Sequence, residues 1–270
     1  VIREGVILAA GVGSRLGEIA RGAKFAVNVA GRPLIHYPIL SLASVGVKKI
    51  VVVTRGQLIP LLQRVLRGLG DVVSYEICVN NEWRRENGFS LLVSEKCLDG
   101  DSFLLSMSDH IYPSDLPVKV LLEYSKHSDS VAVVGGDRRP LYVDVEEATR
   151  IRAREGEVVK VGKRLSPWSH VDTGVFVMRR EIFEAARLLA LDKEAFGISD
   201  VINLAIRMGY RVRVADVTGI PWTEVDTVDD YLDVTGGRRR DVVFAAIESW
   251  QLVLKTVDNR VKEYGVGEKY

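Results

Sequence analysis

Cysteine is nearly absent: Cys78 and Cys97 are the only two in 270 residues. Neither has a metal-type spacing or a cysteine neighbour, so both read as small hydrophobes in a reducing compartment. Net charge is nearly absent too, at +1, which gives nucleic-acid binding no support from bulk electrostatics. No apolar run reaches the roughly 18 residues a membrane-spanning helix needs. The first residues enter a strand pattern with no basic-then-apolar leader, and the expected location is cytoplasmic. The four histidines, His36, His110, His127 and His170, lack metal spacing and read as structural or solvated. Repeats and low-complexity stretches are also missing. What remains is 47% apolar and 27% charged residues, the composition of a globular protein with a substantial core.

Continuous apolar runs mark strands buried on both faces: "GVILAA", "KKIVVVTRG" (48–56), "SFLLSMSD" (102–109) and "SVAVVGG" (130–136). Helix-spaced segments separate them. "RPLIHYPILSLASVGV" (32–47) places Pro33 in a first turn, and "QLIPLLQRVLRGLG" (57–70), "SLLVSEKCL" (90–98) and "LPVKVLLEYSKH" (116–127) follow. This alternation predicts βαβ units and an α/β fold: a Rossmann-like, mostly parallel twisted sheet with helices on both faces. The stretch 141–165 alternates apolar and polar residues around Gly156, which predicts a small antiparallel insertion of hairpin strands. "HVDTGVFVMR" and "YRVRVADVTG" read as further strands, and 181–191 and 199–209 as helices. The expected organisation is a catalytic domain over 1–235 and a helical C-terminal extension over 236–270, apolar on one face.

"LAAGVGSRLG" (8–17) follows the first strand. Gly11 and Gly13 permit positive φ and let backbone N–H groups approach an anion. A strand before and a helix after would set those donors at a helix N-terminus, which suits phosphates. Position 16 is Leu, where a dinucleotide fingerprint needs its third glycine, and the Gly-Lys-Ser/Thr of a P-loop is missing. A turn with glycines for geometry alone remains open from this stretch.

"LAAGVGSRL" followed by "KFAVNVAGRPLIHYPILSLASVGV" resembles the sugar-nucleotide nucleotidyltransferases, with their L-A-A-G-x-G-x-R signature, Pro-Lys, and V-x-G-x-P-L-I segment. Lys24 falls on the lysine position, and Ala23 stands where the family usually carries Pro. "MSDHIY" (107–112) and "GIPWTEVDTVDDY" (219–231) fit the same family in the same order, and the resemblance runs from about residue 5 to 235. It implies that Asp109 and Asp226 hold Mg²⁺, a hard ion that takes one or two carboxylates plus substrate phosphates. Arg15 and Lys24 would neutralise charge on leaving pyrophosphate. "VVKVGKRLSPWSHVDTGVFVM" (158–178) resembles the segment that reaches the acceptor. Lys163 would meet the acceptor phosphate and Asp172 the acceptor's hydroxyls. Leu8, Ala10, Gly11 and Gly13 would line the nucleotide.

In "NNEWRRENGFSLLVSE" (80–95), Asn80, Trp83, Asn87, Gly88 and Ser90 resemble the branch acting on small alcohol phosphates, above all the archaeal-type CTP:inositol-1-phosphate cytidylyltransferases. An Asn amide offers donor and acceptor to a pyrimidine edge, and Gly88 would let backbone approach the ring. A polar loop with an incidental Asn-Gly turn is the plainer alternative. The implied reaction is CTP plus inositol 1-phosphate giving CDP-inositol and pyrophosphate. Other acceptors (phosphocholine, a hexose 1-phosphate with UTP) and a catalytically silent nucleotide-binding subunit stay open. In bifunctional members of the family a membrane-embedded transferase follows, and "LVLKTVDNRVKEYGVGEKY" faintly resembles the junction before it. "RRR" (238–240) with an apolar helix face could touch an anionic membrane or a membrane-embedded partner enzyme, which would make the protein peripheral at the inner membrane face. Packing of that helix on the domain or on the mate of a homodimer is the alternative.

Overall fold

The computed structural model describes residues 1–251. In chain order the elements are β1 (Glu4–Leu8), a short hairpin of β2 (Asn28–Val29) and β3 (Arg32–Pro33), α1 (His36–Ser44), β4 (Lys49–Thr54), α2 (Ile59–Leu66), β5 (Ser74–Val79), α3 (Glu86–Ser94) and β6 (Ser102–Met107). There follow β7 (His110–Ile111), α4 (Asp115–Lys126), β8 (Ala132–Asp137), β9 (Arg150–Arg154), β10 (Glu157–Gly162), β11 (His170–Arg179), α5 (Ile182–Asp192) and α6 (Ile198–Arg207). The last are β12 (Val212–Asp216), β13 (Thr223–Glu224), α7 (Val228–Gly236) and α8 (Arg240–Ser249).

The main sheet runs β5-β4-β1-β6-β11-β8-β12-β10-β9. Strand side chains alternate between faces, so neighbouring residues of one apolar run serve two cores. Ile7, Ile50 and Val52 face the core closed by α1, α2, α4 and α8. Val6, Leu8, Val51 and Val53 face the core closed by α3, α5 and α6. The expected α/β class, with helices on both faces, is the one observed. From β5 to β6 the pairings are parallel. Beyond β6 they turn antiparallel except β8 with β12, so the sheet is mixed where a mostly parallel one was expected.

The insertion is smaller than the alternation suggested: β9 and β10 flank a tight turn at Glu155 (φ 50) and Gly156 (φ 80), while 141–149 is irregular. Two positive φ values at the central residues give the hairpin the hand that matches strand twist. The hairpin belongs to the main sheet, because β9 also pairs with His170 and Val171 of β11. Register slips between Asp172 and Phe176 around Gly174 (φ 71), so β11 turns from β9 to β6 there. Such a bulge re-aims side chains next to a site, and Asp172, opposite Gly136, is the last paired residue before it.

Two sequence expectations are corrected. Pro33 sits in β3, and the helix starts at His36 with Pro38 in its first turn, where a missing N–H costs nothing. Cys78 and Cys97 are not free: they form a disulfide, with Cα atoms 6.4 Å apart and a sequence separation of 19. It ties β5 to the end of the segment that carries α3. Loop-closure entropy over that span predicts that reduction lowers stability by about 3 kcal/mol. Thermal melts with and without a thiol reductant check this, and equal melting temperatures would contradict it.

α8 continues the first core, with Val242, Val243, Ala246 and Trp250 buried beside Tyr37. Trp250 meets Tyr37 edge-on at 5.3 Å, and its indole N–H donates to Ser41 Oγ at 2.9 Å. The arginine run is engaged within the chain: Arg239 pairs with Asp230 (2.6 Å) and Asp233 (3.1 Å), and Arg238 lies over Tyr142. Residues 252–270, and with them the junction-like tail, lie outside the described residues. Among the described residues no helix is long and apolar enough to cross a membrane.

Candidate functional site

The loop after β1 has no α-helix behind it. Gly13 takes a left-handed conformation (φ 69, ψ 37) and a single 3-10 turn, Ser14–Leu16, follows, so the helix N-terminus expected there does not form. Phosphate recognition in this loop therefore falls to its backbone N–H groups and side chains. Gly13 has a second requirement. A Cβ built on it would stand 3.0 Å from Lys24 Cβ and 3.1 Å from Ala20 Cβ. Only glycine lets the lysine stem lie against the loop.

Lys24, buried, extends its ammonium between two carboxylates. Nζ lies 2.5 Å from Asp109 Oδ2 and donates to Asp226 Oδ1. Arg15, half-exposed, donates from Nη2 to Asp226 Oδ2 at 2.7 Å. Asp109 follows the parallel strand β6, at the sheet edge where open α/β folds bind ligands. Asp226 reaches it because β13 pairs antiparallel with β7, Glu224 opposite His110, and the Val225 N–H donates to the Asp109 carbonyl at 3.0 Å. Thr227 and Asp230 then form a reciprocal cap on α7 that fixes Asp226 from behind, its N–H donating to Asp230 Oδ2.

His110 is buried in the site, which fits the structural reading and rules out the solvated one. Nδ1 is 2.6 Å from Asp109 Oδ1, Nε2 is 3.6 Å from Glu224, and the ring stacks on Trp222. Gly174 makes room for it: a Cβ there would come within 2.6 Å of Nε2. Burial alone would lower the His110 pKa, but the Asp109 carboxylate outweighs it and the pKa is raised. Burial alone would raise that of Asp109, yet the Lys24 ammonium and His110 hold it below the usual carboxylate range. The site thus keeps Asp109 ionised.

Two cavities meet here. One, of about 320 Å³, is lined by Leu8, Ala10, Gly11, Gly13, Arg15, Lys24, Asn87, Ser90, Asp109 and Asp226, all singled out in the sequence. Trp83, from the segment 80–95 that carries the resemblance, lines it too, and Glu86, Ser14, Met107 and Ser108 complete it. The other, of about 760 Å³, holds Lys163 and Asp172 and shares Glu86, Asn87, Met107, Asp109 and Asp226 with the first. His110, Thr149, Trp222 and Glu224 also line it, and the sequence reading had named none of them as site residues. Burial pushes the Asp172 carboxyl up to about 7, against the Gly174 N–H that donates to it.

Two expected nucleotide contacts are not brought to either cavity. Asn80 is buried and its amide is satisfied internally: Nδ2 donates to Ser90 Oγ and Oδ1 accepts from the Glu82 N–H, both at 2.9 Å. It positions Ser90. Gly88 is buried against α6, where a Cβ would stand 2.6 Å from the Phe196 carbonyl oxygen. The close approach it permits is to protein backbone and not to a base.

Among the described residues no group of three or more His, Cys, Asp or Glu side chains converges as a metal centre. Two carboxylates gripping one cation, the Lys24 ammonium, are nonetheless the donor set that suits Mg²⁺, which leaves its other positions to water and phosphate. A Zn²⁺-type centre would need more protein ligands. The residues fit the former.

A family model described as the MobA-like NTP transferase domain matches residues 5–201. The bifunctional IPC transferase and DIPP synthase of Thermococcus kodakarensis is 37% identical over 226 residues, covering 83% of this chain and 48% of that protein. Its namesake from Archaeoglobus fulgidus is 34% identical over 229 residues, covering 85% and 42%. The chain spans about half the length of the curated relatives it matches. Among solved structures, the inositol-1-phosphate CTP transferase from T. maritima superposes with a TM-score of 0.82 at 27% identity, covering 91% of this chain and 96% of that one.

Proposed function

This chain belongs to the MobA-like NTP transferase family, and from that premise we propose that it transfers a cytidylyl group from CTP to inositol 1-phosphate. The observation that carries the reading is the meeting of two cavities at Asp109 and Asp226, the two carboxylates that hold the Lys24 ammonium. One has the glycine loop and two cations for a triphosphate; the other has a lysine and carboxylates for a phosphorylated polyol. The choice of CTP and inositol phosphate is supported by the names of the relatives. The catalytic unit is 1–235, and α8, which follows it, braces it through Val242, Val243, Ala246 and Trp250.

An oxygen of the acceptor phosphate attacks the α-phosphorus in line, its bond to the bridging oxygen breaks, and pyrophosphate leaves with that electron pair. The protein's task is positioning and charge neutralisation. Lys163 meets the acceptor phosphate and Asp172 a hydroxyl of the ring. Arg15 and Lys24 face the departing pyrophosphate. Asp109 and Asp226 would hold Mg²⁺, which supplies Lewis-acid neutralisation of phosphate charge when bound. Pyrophosphate release from four nucleotides paired with inositol, choline and hexose phosphates tests the reading. CTP with inositol 1-phosphate should give the highest kcat/KM. UTP with a hexose 1-phosphate as the best pair would overturn it.

Asp172 adds a pH dependence. Its folded pKa of about 7 lies above the value near 3.9 expected in the unfolded chain. The folded protein therefore carries an extra proton between those values, and stability falls as pH rises through that window. Function moves with it: the neutral carboxyl donates a hydrogen bond and the ionised one only accepts. KM for the acceptor should inflect near pH 7 while KM for CTP does not, and Asp172→Asn should remove the inflection. A flat acceptor profile in the unmodified protein would contradict this.

A further inference from the structure

Arg55, the residue after β4, is 5% exposed. Its Nη2 donates to the Gly22 carbonyl, its Nε has no partner, and burial is the sole influence found on its charge, with no carboxylate nearby among the described residues. Its guanidinium lies over the Trp83 ring, 5.1 Å from the centroid. An unpaired buried cation is costly to keep. This one touches two things that matter to the smaller cavity: the peptide two residues before Lys24, and an indole in its wall.

We propose that Trp83 is the aromatic wall against which the base of the bound nucleotide packs, and that Arg55 is the positioning residue that locks this wall to the Lys24 loop. The inference rests on the nucleotide reading of this cavity. Lys24, Arg15 and Asp226 fix the phosphate end beside the glycine loop. The α3 side is left for the base, where Trp83 stands beside Asn87 and Ser90. A guanidinium lying over an indole and absent from the cavity lining holds the ring without occupying the cavity, a task for which its planarity suits it and an ammonium does not. Arg84 also lies over the ring, at 4.8 Å, but is exposed, and a base packed there would displace it.

The test is a tryptophan-fluorescence titration of the full chain with each of the four nucleoside triphosphates, with steady-state KM values for nucleotide and acceptor alongside. The preferred nucleotide should quench wild-type emission. Trp83→Phe should lose the quench yet keep nucleotide Kd within a few-fold, since it retains a stacking face. Trp83→Ala should weaken Kd by about tenfold or more, the usual cost of losing one base-stacking ring, with acceptor KM unchanged. Arg55→Gln should weaken nucleotide Kd in the same selective way, and if that buried variant does not fold, the two Trp83 variants decide. Trp83→Ala that binds nucleotide like wild type, or that raises both KM values equally, overturns the inference alone. A wild type that binds none of the four overturns the nucleotide reading beneath it.

Discussion

Asp226→Ala should lower kcat at least about 10²–10³-fold while leaving the fold intact. That is the usual cost of removing a group aimed at charge developing in a transition state. Asp226 sits where its loss is chemically large and structurally small. Its backbone is fixed by Asp230 and Thr227 and not by its own side chain. Its carboxylate is partly exposed and is gripped by Arg15 and Lys24. Removing it leaves two cations facing the cavity, so nucleotide affinity should hold or improve as kcat falls. A split of that kind separates a lost transition-state contact from a lost binding contact. Asp109→Ala should cost as much in kcat and more in stability, because the buried His110 ring would lose its 2.6 Å partner. Steady-state kinetics with thermal melts on both variants check this. Near-wild-type turnover in Asp226→Ala would remove this carboxylate from the chemistry.

The pieces of the site that local sequence encodes were legible from it. A strand buried on both faces shows as an unbroken apolar run, and the loop after it shows its glycines. Asp109 shows as the polar end of such a run, its metal role follows only from the resemblance, and the structure sets it and Asp226 around one ammonium. Features that depend on partners far along the chain were not legible. Gly88 reads as a loop glycine until Phe196 and Gly197 of the α6 entry pack on it. Asn80 reads as a base contact until Ser90 and the Glu82 N–H take its amide. His110 acquires its role from Glu224, which only the β7–β13 pairing brings near. The cysteine pair needed a Cα separation that no spacing rule supplies. Trp83 shows in the sequence as a member of the segment 80–95, but its place in the cavity wall and the Arg55 guanidinium over its ring show only in the fold, as does the place of Glu86 in both cavities.

Lys24→Ala should also lower kcat by about 10²–10³, with a second effect of opposite sign. Its ammonium now neutralises both Asp109 and Asp226, so it competes with any cation those carboxylates could hold. Without it the two like charges are left facing each other, and Mn²⁺ or Mg²⁺ should bind the nucleotide-free protein more tightly than it binds wild type. The departure at position 23 does not prevent Lys24 from reaching both carboxylates. Ala23 has φ −136 and ψ 72, outside the φ range near −65° that proline can hold, and its N–H donates to the Ala20 carbonyl at 2.8 Å. This chain therefore places Lys24 between the carboxylates by a backbone that proline could not adopt. The stem is steered by its contact with Gly13 in place of a rigid ring before it. Calorimetric titration of Mn²⁺ into the nucleotide-free protein, beside turnover with saturating CTP, reads both effects. Tighter metal binding with collapsed turnover is the expected pair. Unchanged turnover would show that the ammonium only balances the aspartates and does not act on the leaving pyrophosphate.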